Sequence, residues 1–282
     1  MIAVIYSGSR HADWKLSEKG QLVSEFKTVG INPYFNDERF ILTLLNKNIH
    51  LINNAEKIKR IYFFGAGASS EDRKKVVETA LGKFFRFGKV FVEHDMKAAA
   101  LATCGEDRGI VAIIGSGSNA AYYTGKKIRE NNYGLGFILA DEGSSNWMGR
   151  YLLKNFLNGT MPVTIERKFT QKYHLDRKNV LDKVYRQPQP VLFLSSFIEF
   201  INENRSTDYI KDLVMKGFND FFVKYIIPLN EKYPNVPVNF AGTVAAGFQD
   251  WIREAAANHN LEINTIVKEP IYNVLNYYSN KN

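Results

Sequence analysis

The sequence predicts an α/β protein of two similar lobes, each a mixed sheet flanked by helices, with a cleft between them. Three observations carry this expectation. A shift of 109 positions lays AVIYSGSRHADW (Ala3 to Trp14) over AIIGSGSNAAYY (Ala112 to Tyr123), with Ser-Gly-Ser in register, which marks an internal duplication. Each copy reads as strand, glycine turn, strand, polar turn and a third extended stretch, followed by alternating strands and helices. The 282 residues, 45% of them hydrophobic, are enough to bury two such cores.

In the first half, Glu38 to Asn48 has a helical period, and Arg60 to Gly67 reads as a buried strand ending in glycines. Ser70 to Phe84 is expected as a helix, with Ser70 as its cap and Glu71 and Asp72 in its first turn. Lys89 to Asp95 reads as a strand, and Met96 to Cys104 as a short Ala-rich helix. Gly105 to Gly109 is the expected hinge, which sets the first lobe at 1–106 and the second at 107–268. In the second half, Asp141 to Asn155 and most of 165–230 are helical in pattern. Val236 to Val244 is a strand running into a Gly-Thr turn, Ala245 to His259 a helix, and Leu261 to Val267 a last strand. A terminal helix from Glu269 is expected to join the first lobe.

Composition removes several classes of function. Cys104 is the single cysteine, so an internal disulfide, a Cys-rich zinc site and an iron–sulfur cluster are excluded. His11, His50, His94, His174 and His259 show no zinc-like spacing. No stretch reaches the roughly 18 uncharged apolar residues of a membrane-spanning helix. The N-terminus lacks the basic and apolar regions of a signal peptide, so the expected location is cytoplasmic, with no membrane partner. The net charge of +8 is spread over short runs such as Arg73-Lys-Lys75, which argues against nucleic acid and suits small anionic ligands such as nucleotides.

Several short segments have the chemistry of a ligand site. Ser116-Gly117-Ser118-Asn119 follows a buried strand, and its successive backbone amides form an anion nest. Gly8-Ser9-Arg10 is its counterpart in the first copy. Asp95 ends a strand and opens a helix, where it serves as a helix cap, as a proton acceptor, or as both. Asn32-Pro33 is a turn former whose Asn can also meet a ligand. Gly134-Leu-Gly136 and Asp141-Glu142-Gly-Ser form the most specific block, with Asp141 expected at a helix start. Gly242-Thr243 lies at a strand-to-helix junction.

In this order (glycine hairpin, Asp95, IIGSGSN, DEGSS, FAGTVA) the motifs resemble the sugar-kinase/actin-like ATPase superfamily, over nearly the whole chain. More narrowly, they resemble N-acetylglucosamine kinases and BadF/BadG/BcrA/BcrD-type ATPases. The resemblance implies duplicated ribonuclease H-like lobes and ATP-dependent phosphorylation of an amino sugar, with Mg2+ as the accompanying ion. It assigns Asp95 as catalytic base. Gly8, Ser9, Arg10, Ser116, Gly117, Ser118, Asn119, Gly242 and Thr243 fall on the nucleotide-binding positions. Asn32, Asp95, Gly136, Asp141 and Glu142 fall on the sugar-binding positions. Relatives are commonly homodimers. Two departures stand out: Tyr6 takes the place of the acid that orders the metal, and Tyr133 and FILA replace a Trp-containing run. The departure at Tyr6 opens an alternative, a catalytically impaired homologue that senses a sugar or nucleotide. The dehydratase-activator branch of these ATPases is set aside, because it needs more cysteines than one.

Overall fold

The computed structural model describes all residues except Ser9, Glu130, Lys281 and Asn282. The chain divides into two compact units: the first holds Met1–Asp107, Tyr123–Ile128 and the residues from Glu269 on, and the second holds Arg108–Tyr122 and Arg129–Lys268.

The first unit is built on a five-stranded sheet. In chain order it contains β1 (Ile2–Ser7), β2 (His11–Glu18), β3 (Gln21–Val29), α1 (Glu38–Asn46), α2 (Ile49–Ile52), β4 (Arg60–Gly65), α3 (Glu71–Phe84), β5 (Lys89–His94) and α4 (Asp95–Cys104). The strand order is β3-β2-β1-β4-β5. β1 to β3 form an antiparallel meander, while β1, β4 and β5 run parallel.

The two-residue period of β1 sends its side chains into different cores. Ala3 and Ile5 pack with Ile41, Leu45, Val77 and Leu81 on one face. Ile2 and Val4 pack with Ala98, Leu101, Ile271 and Val274 on the other, and Tyr6 lies against this second cluster. The position of the expected acid thus points toward α4. At α3, Ser70 is the N-cap residue as expected, with Glu71 and Asp72 in the first turn, but its side chain makes no capping bond. At α4 the cap is His94, and Asp95 is the first helical residue rather than the cap.

The second unit carries β6 (Arg108–Ile114), β7 (Ser118–Thr124), α5 (Gly136–Leu139), α6 (Ser145–Leu157), α7 (Val163–Tyr173), α8 (Arg177–Tyr185), α9 (Pro190–Ser195) and α10 (Ile198–Glu203). There follow α11 (Asp208–Phe221), a π-helical turn (Phe222–Ile226), α12 (Ile227–Lys232), β8 (Val238–Ala241), α13 (Thr243–Gly247), α14 (Gln249–Asn258) and β9 (Ile263–Val267). The last helix, α15 (Pro270–Asn280), packs in the first unit with α4 and β1.

The order of the second sheet is β7-β6-β8-β9, with β6, β8 and β9 parallel. β6, β7, β8 and β9 therefore repeat the connectivity of β1, β2, β4 and β5. The third meander strand expected in this copy does not form. Among the described residues only an isolated bridge, Tyr123 to Ile128, stands in its place. After Tyr123 the chain reads TGKKIRENNYG, with one β-branched apolar residue and no alternation to bury. The expected helix from Ala245 is broken at Phe248 into α13 and α14. Among the described residues no helix is long and apolar enough to cross a membrane.

Candidate functional site

In the first unit, the expected residues gather around the carboxyl ends of β1, β4 and β5, the edge at which parallel sheets bind ligands. Gly8 donates its amide to the carbonyl of His11 at 3.1 Å, closing the hairpin. Ser7 is fully buried and ties this end to the next loop: its Oγ accepts from the Ile31 amide at 2.8 Å and donates to the Ile31 carbonyl at 2.9 Å. The adjoining Asn32 accepts the Tyr34 amide through Oδ1 at 3.0 Å, an Asx turn. Arg73 holds the β4–α3 loop by donating to the Gly67 carbonyl at 2.8 Å, and its guanidinium lies 4.1 Å from the Tyr34 ring centroid. Arg10 is exposed, and Ser9 lies outside the described residues.

Tyr6 sits between two carboxylates. Burial first, then the charges of Asp95 and Asp13, push its phenol well above the ordinary range, so it stays neutral and is a poor metal ligand. Asp13 was not singled out by the sequence motifs. The hairpin register reveals it, because Tyr6 pairs directly with Asp13 and the pleat puts both on one face. Asp13 is held by Lys27 Nζ at 3.1 Å and His11 Nε2 at 3.3 Å.

Asp95 is the least satisfied carboxylate. His94 Nδ1 lies 3.1 Å from its Oδ1, an ion-pair distance. That contact lacks hydrogen-bonding geometry, and the oxygen is buried without a donor. Leaving such an oxygen unpaired costs about 1–3 kcal/mol or more, and a ligand hydroxyl relieves that cost.

The second unit presents a more tightly bound arrangement. The hairpin from Gly115 to Ser118 is pinned to the start of α6. The Ser145 amide donates to the Gly115 carbonyl at 3.0 Å, and Asn146 Nδ2 donates to the Ser116 carbonyl at 2.6 Å. Asp141 accepts the Ser118 amide on Oδ1 at 3.0 Å and Asn146 Nδ2 on Oδ2 at 2.7 Å. One amide of the expected anion nest is thus already used by Asp141. Gly115 donates to the Gly117 carbonyl at 2.9 Å, which leaves the amides of Ser116 and Gly117 without a partner among the described residues. Asn119 turns its Oδ1 to the Ala120 amide at 2.8 Å.

Asp141 is not at the helix start as expected. Ser144 caps α6, accepting the Trp147 amide at 3.3 Å. Asp141 instead adopts left-handed backbone, with φ of +66°, a conformation that costs a non-glycine residue about 1–3 kcal/mol. Burial pushes its carboxyl above the usual range, against the lowering effect of the Ser118 amide, Asn146 and Arg150.

Glu142, its neighbour, goes the other way. Burial alone would raise it, but hydrogen bonds from Lys224 at 2.5 Å and Tyr225 at 2.6 Å hold it below the usual range. Both of its oxygens are occupied by side chains of its own unit. Adjacent carboxyls pushed in opposite directions are a hallmark of functional sites.

Gly242 is fixed by packing. A Cβ there would run into the carbonyl of Ile114, and its φ of +115° suits glycine alone. Thr243 is exposed at the start of the five-residue α13. Gly136 opens α5 with open space around it. Among the described residues no group of three or more His, Cys, Asp or Glu side chains forms a ready metal site.

No family model matches the sequence, and no curated protein matches it. Solved structures do match. A "putative N-acetylglucosamine kinase" from Porphyromonas gingivalis is 32% identical, with 99% of each chain covered and a TM-score of 0.94. A protein of the same description from Chromobacterium violaceum is 14% identical over 98% of this chain and 99% of its own, with a TM-score of 0.70. A ROK family glucokinase from Streptomyces griseus, solved with glucose and AMPPNP, is 15% identical over 98% of this chain and 97% of its own, with a TM-score of 0.56. The last two show the fold. With identity of 32% sustained along its length, the chain belongs to the sugar-kinase family of the Porphyromonas protein, in the actin-like ATPase fold.

Proposed function

We propose that the protein is an ATP-dependent sugar kinase whose acceptor is an amino sugar, N-acetylglucosamine first among them. The observation that carries the reading is Asp95, a partly buried carboxylate with one buried, unpartnered oxygen at the carboxyl end of the parallel strands β4 and β5. The family relationship supplies the reaction class, and the name of the Porphyromonas relative suggests the substrate.

In this reading the Asp95 carboxylate takes the proton of the attacking sugar hydroxyl. The hydroxyl oxygen bonds to the γ-phosphorus as the bond from that phosphorus to the ADP oxygen breaks, and ADP leaves with the bridging electron pair. Asn32 and Asp141 orient sugar hydroxyls by hydrogen bonding. The free amides of Ser116 and Gly117, with Gly8, Ser9 and Arg10, take phosphate oxygens. Asn119, Gly136, Gly242 and Thr243 shape the surroundings of the nucleotide and sugar.

Mg2+ accompanies ATP in this chemistry, neutralising charge on the phosphates. The residues fit an ion that arrives with the nucleotide. Mg2+ commonly takes one or two protein carboxylates and fills its remaining positions with phosphate and water. Asp13, facing the same side as Tyr6, would be the carboxylate to hold it, in place of its present partners Lys27 and His11, and Asp95 would remain the base.

A coupled assay of ADP release over a panel of hexosamines, with and without Mg2+, tests the reading. Transfer to N-acetylglucosamine in preference to glucose and glucosamine supports it. Nucleotide and sugar binding without any transfer defeats it.

A further inference from the structure

We propose that Lys224 and Tyr225 are positioning residues for Asp141, aimed together at Glu142 by the π-helical turn that carries them. The inference rests on the reading of Asp141 as a sugar ligand.

The cause lies in the sequence. Asp208 to Lys232 would run as one helix, but Pro228 has no amide to give to the Lys224 carbonyl, and its ring collides with that carbonyl in α geometry. The helix widens instead, and the Ile227 amide reaches five residues back to Phe222. Such turns recur at functional sites. Successive residues on a regular helix point about 100° apart. Here two neighbours meet one carboxylate, Lys224 on Oε1 and Tyr225 on Oε2.

The same helix braces the loop a second time, where Gly217 packs against Gly143 and Trp147: a Cβ on Gly217 would lie 2.8 Å from the Trp147 ring and 3.1 Å from Gly143 Cα. Glu142 is thereby fixed on both sides: its carboxylate on the π-turn and its carbonyl on Ser118 Oγ at 2.8 Å. Asp141 precedes it in a strained backbone conformation and holds the Ser118 amide. A carboxylate in left-handed backbone stays in place only if its neighbours over-determine it. The π-turn supplies two of these constraints, one on each oxygen of Glu142. With both of its oxygens taken by Lys224 and Tyr225, Glu142 is in this scheme a brace for Asp141 and not the sugar ligand that the resemblance implied, and the two residues act through it.

The test is residue-resolved amide hydrogen exchange on the full chain, with Lys224→Met, Tyr225→Phe and Pro228→Ala beside the wild type. The Ser118 amide should exchange at least about tenfold faster in each variant, while Phe240 and Ala241 of β8, in the same sheet, keep their protection. Lys224→Met removes a half-exposed side chain, so it tests the idea even if the other variants unfold. In the kinase assay the variants should raise the sugar KM more than they lower kcat, with Lys224→Arg restoring most of the loss. Ser118 protection equal to wild type, or a loss shared equally by β8, overturns the proposal. The exchange result stands whether or not the wild type phosphorylates a sugar, so failure of this inference and failure of the kinase reading are told apart.

Discussion

The two Ser-Gly-Ser hairpins descend from one pattern and are held in opposite ways. Among the described residues, the hairpin at Ser7–His11 is held by main-chain bonds, from the Gly8 amide to the His11 carbonyl and from the Gly30 amide to the Arg10 carbonyl, and anchored below by Ser7. Its counterpart at Gly115–Ser118 is pinned by α6, by Asp141 and by the Glu142 carbonyl. The first copy carries Tyr6 where the resemblance leads one to expect an acid, with Asp13 facing the same side. The pinned copy has given one of its amides to a carboxylate of its own. Duplication preserved the path of the chain, and each copy settled its polar groups separately.

The largest expected effect lies in the first unit. Asp95→Asn should lower kcat by about 10²–10⁴-fold, the usual contribution of a general base, while the melting temperature holds. A retained kcat in the coupled assay would remove Asp95 from the chemistry.

Next comes Tyr6→Asp, which adds a third carboxylate beside Asp13 and Asp95. It should destabilise the free protein by about 1–3 kcal/mol through burial and like-charge repulsion. Millimolar Mg2+ should return much of that loss by binding the folded state alone, as read from melting temperature with and without the ion. An Mg2+-insensitive variant would show that the first hairpin cannot regain a metal site.

The hairpins themselves can be compared by one substitution made twice. At Gly117 a Cβ would lie 3.0 Å from the Asp141 carboxylate, which is locked in place. Gly117→Ala should therefore cost about 1–2 kcal/mol in urea unfolding, the range of an overpacked site. At Gly8 the nearest atom to a Cβ is 3.9 Å away, so Gly8→Ala should stay within about 0.5 kcal/mol. Equal costs would mean that the two turns are equally confined.

The smallest effect is a pH dependence within the second unit. Asp141 has a folded pKa above its ordinary 3.8, so its contribution is complete below that value and is lost as pH rises through the folded pKa. Glu142 has a folded pKa below its ordinary 4.5, so its contribution is complete above that value and is lost as pH falls through the folded pKa. Urea midpoints followed from neutral to acidic pH should fall less steeply for Glu142→Gln than for wild type. Asp141→Asn should remove the decline on the alkaline side. Parallel curves would refute the opposed shifts.

Much of this protein was legible in the chain alone. The repeat from Ala3 to Ala112, the buried strand Arg60 to Gly65, the strand Lys89 to His94, and the α3 and α15 patterns all depend on local period and composition, and the structure forms them within a few residues. The ordered glycine and carboxylate motifs pointed to the family for the same reason: spacing along the chain is a local property. Other features depended on partners distant in sequence. Asp13 belongs beside Tyr6 only because of strand register, and Asp141 leaves the helix start because Ser118 and Asn146 hold it elsewhere. Glu142 finds its partners 82 and 83 residues away, on a π-turn. The helical pattern read over 165–230 passed through Pro228 without marking the defect there, and packing decided which carboxylate that defect would serve. Backbone preference is written residue by residue, whereas the pairing of buried charge is settled when distant segments meet and must satisfy one another out of water.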